Sequence, residues 1–448
     1  MTSSTDVIIV GAGLSGLYAA RSLSQKGFSV RVLEANSEVG GRTRTRLLQG
    51  STFDLGGQWI GPTQTRMHAL CSELNIATFP TFCDGKKILE IDGKIRTYRS
   101  SIPSLSPLSL LQLQWGISRI ERLAKKAGPQ IVANPETCGQ WDRWTVNQWV
   151  RKHLPGAKVR ALLEAAVRVI FGADSSELSL AYFLAYLHTG GGLMNLCEIK
   201  GAAQQDRIAG GAQQISEKLA QALGDSLTLD TPVERIHQDA TGVTVTGTFG
   251  ECRAKRVIIA MPPPMAARIV FSPALPSGRD QLMQRMVMGS TVKFLALYDE
   301  PFWRTDGWSG EVVADGKPVT VVYDNTNAQG QAGLLGFIVG SAARDWSARP
   351  QAERQKLVLD QFARWFGPRA AQPTLIHEQD WAEEKWTRGC PIGLLGPSSL
   401  STLGSHLRAP CDRVHWAGTE SATQWTGFME GALQAAERVT HEVTGSLT

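Results

Sequence analysis

The first part of the chain switches twice between two hydrophobic periods. "DVIIV" is a short apolar, β-branched run, the pattern of a buried strand. After "GAGLSG", the segment "LYAARSLSQKG" has helical spacing and ends in Gly, which predicts a helix. "FSVRVLEA" returns to strand. Together these form one βαβ unit of about 30 residues. Further on, "TPVERIHQDATGVTVTGTFGECRAKRVIIAMPPP" alternates as several short strands with Gly-containing turns. Its triple proline can continue neither strand nor helix. "DRVHWAGTE" reads as another strand, and "GFMEGALQAAERVTHEV" as a long closing helix.

Between these pieces the character changes. "LSPLSLLQLQWGISRIERLAKKAG", "VNQWVRKHL", "GAKVRALLEAAVRVIFG" and "ELSLAYFLAYLHTGGG" read as mainly helical. "ILEIDGKIRTY" carries an Asp-Gly hairpin signal. "STVKFLALYDEPFW", "KPVTVVYDNT" and "AGLLGFIVG" read as strands of a second sheet. The expected architecture is α/β. A Rossmann-like nucleotide-binding domain is built from 1–80, 207–279 and 384–448, with an inserted α+β domain from 81–206 and 280–383.

At 448 residues, two domains are expected. Hydrophobic content of 42% with 19% charged residues fits a globular protein rather than a disordered one. The excess of 46 basic over 41 acidic residues is small and no long Lys/Arg run exists, which argues against a nucleic-acid partner. The seven cysteines include no C-x-x-C pair and no zinc spacing, so no metal site is expected. An odd count in a chain this long also argues against a disulfide framework and for a reducing, cytoplasmic location. "MTSSTDVIIVGAG" lacks the basic start of a signal peptide, no apolar run reaches membrane-spanning length, and "HEVTGSLT" offers no tail anchor. No membrane partner is expected.

Gly11, Gly13 and Gly16 form G-x-G-x-x-G between strand and helix, with Leu14 and Ser15 inside the motif. The first glycine permits the turn, the second lets backbone approach a pyrophosphate, and the third allows close helix–strand packing. The helix N-terminus adds free N–H groups and the positive end of a dipole. Glu34, followed by Ala35, closes the second strand about 20 residues on, where an acid can hold a ribose hydroxyl. "EANSEVGGRTRT" then places Gly40, Gly41 and Arg42 just beyond, suiting a longer cofactor that needs more donors.

With that Gly-Gly-Arg the chain resembles the amine-oxidase branch of FAD flavoproteins, the flavin monoamine oxidase family. The resemblance continues through "DLGGQWIGPTQ", with Gly57, Gln58, Trp59 and Ile60 as a second flavin-contacting segment. "PVERI" follows, whose Val233 is expected at the adenine end, and then "AMPPP". It closes on "HWAGTESATQWTGFMEGALQAAERV", similar to the family's C-terminal flavin motif. The ordered set spans nearly the whole chain. It implies a GR2-type FAD-binding domain, an inserted substrate-binding domain, and FAD as cofactor. In the C-terminal motif it implies cofactor contacts from Gly418, Gly427, Phe428 and Met429. Glu420 is expected on a ribityl or phosphate-side group; otherwise it is a solvated loop acid. The helix N-terminus at Phe428 and Met429 would face the flavin's pyrimidine end, where reduction places negative charge.

Lys293 lies in "GSTVKFLALYDEPFWR" with apolar neighbours on both sides. Alternation alone leaves open a lysine on a solvated strand face. The resemblance implies a lysine that holds a water near the flavin. In "EEKWTRGCPIG", Trp386 and Cys390 are in register with a family motif whose thiol attaches covalently to the flavin, so Cys390 reads as a flavin anchor or as an inert buried thiol. The family's next residue is aromatic and pairs with a second ring to flank the amine. Here those places hold Pro391 and Phe428, which puts the two-ring cage in doubt. Approximate alignment adds Val169, Ile170, Phe171 and Gln204 to a mainly apolar substrate cavity.

The resemblance implies oxidative deamination of a small primary or secondary amine, with O2 reduced to H2O2, and is compatible with a homodimer. Two enzyme alternatives are an L-amino-acid oxidase, with Arg66 as a carboxylate grip, and an amine dehydrogenase that passes electrons to a protein. A flavin-binding interaction module is the non-catalytic alternative, although no recognition domain or long helical insertion is visible.

Overall fold

The computed structural model describes residues 5–100, 103–128, 135–316 and 318–447. Of the stretches read above, "MTSS" at the start, Lys317 of the strand "KPVTVVYDNT" and the final Thr448 lie outside the described residues.

Thr5–Val10 forms the middle of an eight-stranded sheet. It pairs in parallel with Val30–Leu33 on one side and Gly250–Ile259 on the other, in registers such as Val7↔Val30 and Thr5↔Ala254. Gly250–Ile259 turns back antiparallel onto Val243–Gly247, which pairs with Val233–Gln238, and it also takes Val414–Trp416 in parallel. One sheet thus collects strands from near the start, middle and end of the chain. The helices Leu14–Gln25, Gln213–Leu223 and Met429–Leu447 bury one apolar core against it, with Leu17, Ile215 and Leu433 fully covered. The triple proline does end the strand, at Ile259, but Pro263 opens a four-residue helical turn. The first helical position needs no N–H and suits the fixed φ of proline.

The second sheet has seven strands in the order Leu375–Asp380, Thr291–Tyr298, Ala332–Val339, Val321–Asp324, Trp308–Ala314, Lys86–Ile91, Lys94–Tyr98. The last two are the hairpin expected at "IDG". Thr291–Tyr298 is buried at all eight positions because strands flank it on both sides and both faces are packed. One face packs on the helix Gln351–Phe366 around Phe294 and Phe362. A separate layer of helices, including Pro107–Ala127, Val146–His153, Ala157–Phe171 and Leu180–Thr189, forms its own core. Small sheets stitch the units together. Trp59–Ile60 and Thr78–Pro80 pair with Asp206–Ile208, and Val287–Met288 pairs with Gly393–Leu394. Among the described residues no helix is long and apolar enough to cross a membrane.

Candidate active site

One cavity runs from the glycine loop to the second sheet. Its first half is a backbone cradle. Gly11, Gly13, Gly40, Gly41, Gly56, Gly57 and Gly418 all line it, together with Leu14, Ser15, Ala35 and Val233. Ser15 Oγ accepts from Gly418 N at 3.1 Å and so ties the first glycine loop to the last segment. Glu34 also lines the cavity and is buried, which pushes its carboxyl up, against the pull of N–H donation from Asn36 and Ala12. Its oxygens accept from Ala12 N at 2.6 Å and Asn36 N at 2.9 Å, so backbone N–H groups hold the carboxylate at the cavity wall. A bare, elongated glycine cradle with one acid at its strand end fits a dinucleotide such as FAD.

Several expected contacts take a different form. Gly16 does not line the cavity; it lies under the loop against Gly11, and a Cβ built there would meet Gly11 O at 2.0 Å. Ile60 is fully buried in the ladder with Asp206 and points into core. Glu420 is neither solvated nor lining. Its carboxylate receives both Nη atoms of Arg42, at 2.6 and 3.1 Å, and Gly393 N at 3.4 Å. Arg42 does line the cavity and also donates to Pro391 O at 2.8 Å. Burial pulls the Arg42 guanidinium down, and Glu420 more than offsets this. Glu420 is therefore linked to the cavity only by way of its pair with Arg42. Glu420→Ala, by leaving that cation unpaired, is expected to lower the unfolding free energy by about 3 kcal/mol, read by denaturant titration. At the last helix, Phe428 N donates to Trp425 O at 3.0 Å, so the N-terminus facing the cavity begins at Met429 rather than Phe428.

The other half of the cavity is aromatic. Trp59 meets Tyr323 edge-on at 5.2 Å and Phe337 at 6.0 Å. Phe428 and Tyr186 also line it, with centroids 6.1 Å apart. The missing ring at Pro391 thus has a neighbour of Phe428 from elsewhere, the helix Leu180–Thr189. Gly427, also lining, makes room for it, since a Cβ there would lie 2.6 Å from Tyr186 Oη. Val169, Ile170, Gln204 and Pro391 line the cavity as expected, but Phe171 does not. It is fully buried behind Tyr186, at 4.6 Å. Sequence reasoning missed Tyr186, Tyr323, Phe337 and Trp381. For Tyr186 a signal existed: in "LAYFLAYL" a phenol sits on a face otherwise fit for core.

Lys293 stands where the halves meet, only 5% exposed and 5.6 Å from the Trp59 and Phe337 rings. Burial pulls its amine down to about 7, with Asp54 and Cys390 opposing and Arg207 adding to the fall. Cys390 and Trp386 also line the cavity. The thiol is pushed up to about 11 by burial, although Arg42 and Lys293 pull the other way, so it is protonated near neutral pH. All seven cysteines are free. Arg66, the alternative carboxylate grip, does not line the cavity and pairs with Glu430 and Glu437. Among the described residues no group of three His, Cys, Asp or Glu could hold a metal ion.

Comparison with known proteins agrees with this geometry. The family described as flavin containing amine oxidoreductase matches residues 14–444. A probable flavin-containing monoamine oxidase A of Dictyostelium discoideum is 42% identical over 451 residues, covering 100% of this chain and 99% of the relative. Among solved structures, cyclohexylamine oxidase from Brevibacterium oxydans superposes with a TM-score of 0.95 at 34% identity, over 99% and 100% of the two chains. A putrescine oxidase bound to putrescine superposes with a TM-score of 0.95 at 30% identity, again over 99% and 100%. The chain therefore belongs to the flavin-containing amine oxidoreductase family and is an FAD-dependent oxidoreductase that acts on amines.

Proposed function

We propose that this enzyme oxidatively deaminates a small apolar monoamine, primary or secondary, to an imine that hydrolyses to an aldehyde, with O2 reduced to H2O2. FAD, when bound in the glycine cradle, supplies the two-electron acceptor. The protein's residues do the rest. Trp59, Tyr323, Phe337, Tyr186 and Phe428 present ring faces and edges that bind the substrate's carbon skeleton and exclude water. Lys293 holds a proton, or water, at the junction of the two halves.

One observation carries the reading toward a neutral monoamine. Among the residues lining the cavity only Glu34 is acidic, and it lies at the dinucleotide end. A second ammonium deep in the aromatic half would find no counter-charge and would lose its hydration. The lining arginine that reaches toward the aromatic half, Arg42 near Tyr186, has its charge already matched by Glu420. Arg42 also donates to Pro391 O, and Arg268, the other lining arginine, donates to Lys385 O. A substrate carboxylate is therefore disfavoured.

The experiment is an anaerobic amine panel followed by flavin bleaching, then peroxide yield in air. A monoamine should bleach the flavin with kcat/KM at least about tenfold above its diamine and its α-carboxylated counterparts. An α-carboxylated substrate that wins would make the enzyme an amino-acid oxidase, and bleaching without peroxide would make it a dehydrogenase.

We read Cys390 as the cofactor's anchor; its lining of the same cavity as Trp386 and Pro391 supports this. On acid denaturation the yellow colour is expected to stay with the polypeptide in the wild type and to be released from Cys390→Ala. Free flavin from the wild type would leave Cys390 as a buried thiol that only packs.

A further inference from the structure

Lys293 ends in a shell of acceptors. Its Nζ lies 2.6 Å from Gly56 O, 2.7 Å from Gln58 Oε1 and 3.4 Å from Asp54 O. An ammonium can only donate. Gln58 must therefore turn its oxygen toward the lysine and its nitrogen away. That nitrogen donates to Asn325 Oδ1 at 2.9 Å. Lys293, Gln58 and Asn325 are 5%, 1% and 0% exposed, so water does not substitute freely for any of these bonds. While Lys293 carries its proton, the row runs one way, from the lysine to Gln58 and from Gln58 to Asn325.

The backbone at its far end is fixed, while Asn325 Nδ2 has no hydrogen-bond partner among the described residues, so that carboxamide is held through its Oδ1 alone. Asn325 N donates to Gly333 O at 2.7 Å. The preceding residue, Asp324, accepts from Trp303 Nε1 at 2.8 Å and from Arg304 Nε and Nη2 at 2.6 and 2.9 Å. The row therefore runs from the loop after Ser51–Asp54, through the lysine of Thr291–Tyr298, to the end of Val321–Asp324, joining the cofactor half to the second sheet. A carboxamide can turn end for end with almost no change of shape. Without Asn325, only the proton on Lys293 would hold the Gln58 oxygen in place, and its loss would free Gln58 to present its NH2, which the neutral amine accepts.

We infer that Asn325 is a positioning residue: by accepting from Gln58 it keeps the Gln58 oxygen on Lys293, and so fixes the place and the proton of that amine beside the aromatic wall. The inference rests on the reading that Lys293 works in the reaction. The other titratable or charged groups facing the amine are Asp54, Arg207 and Cys390, from three other parts of the chain. Asp54 and Cys390 favour the proton and Arg207 opposes it, against a dominant burial effect. The variants below leave all three unchanged.

The test uses the holoenzyme labelled with ε-13C lysine, in which the Lys293 signal is the one absent from Lys293→Met. In Asn325→Leu the amine's titration midpoint is expected to fall by about one unit. In Asn325→Asp, which keeps the acceptor and adds a negative charge, it should rise by about one unit. The lysine limb of the pH profile for anaerobic flavin reduction should move with each. In the Lys293→Met background neither change at 325 should alter the rate by more than about twofold. Flavin absorbance per protein controls for folding. Midpoints that coincide with the wild type in both variants, or equal rate losses with and without Lys293, would overturn the inference. Unchanged rates in Lys293→Met alone would instead remove the lysine from the reaction, and the NMR midpoints would still judge Asn325 separately.

Discussion

Gly16→Ala is expected to yield little or no yellow protein. A Cβ at Gly16 would lie 2.0 Å from Gly11 O and 3.1 Å from the Ala260 Cβ. The first contact is backbone, at the end of a buried strand, and cannot swing away as a long side chain could. Gly11 itself has φ +106 and a Cβ site 2.8 Å from Ala260 O, so the loop has no slack. Relief would require the helix Leu14–Gln25 to slide along the sheet, pulling Ser15 from Gly418 and opening the cradle. The measurement is flavin absorbance per protein, with thermal unfolding alongside. Gly445→Ala is the control. It lies in the closing helix with open space around it, and should be neutral or stabilising by up to about 1 kcal/mol. A Gly16→Ala protein that retained full FAD would show that close helix–strand contact is not what holds the loop.

Lys293→Met should fold and bind FAD yet slow flavin reduction, reoxidation or both by at least about tenfold. Methionine fills a similar volume and suits the apolar neighbours of Thr291–Tyr298. The loss is of a proton-carrying group at the junction of cofactor and substrate halves. Stopped-flow measurement of each half-reaction decides it, and unchanged rates in both would rule the lysine out. Stability supplies a second readout. The amine falls from 10.5 in the open chain to about 7 in the fold, so between these values folding releases a proton and wild-type stability rises with pH. Below about 7 both states are charged and the burial penalty is felt in full. The stability of Lys293→Met relative to wild type should therefore be most favourable below pH 7 and decline as pH climbs toward 10.5.

What was legible beforehand was local. A G-x-G-x-x-G between a strand pattern and a helix pattern needs only φ freedom and period to be recognised, and Glu34 follows at a distance set by one helix and one strand. The lining positions at Gly57, Gln58, Trp59, Gly418 and Met429 belong to contiguous motifs of the same kind. Even so, a motif tells which residues are near one another, not which way each side chain faces. Ile60 and Phe171 were read into the site because their neighbours belong there, but both turn into core.

The sequence by itself determined the nucleotide loop, the order of strands and helices around it, the residue types available for chemistry, and the family. Only the tertiary structure decided that Glu420 serves Arg42, 378 positions away, and that Gln58 is shared between Lys293 and Asn325. It also decided that Tyr186 stands beside Phe428, in the region where Pro391 supplies no ring. Hydrophobic period fixes which face of an element is buried. Which two buried faces meet, and which polar atoms then have to satisfy one another without water, depends on packing between segments hundreds of residues apart.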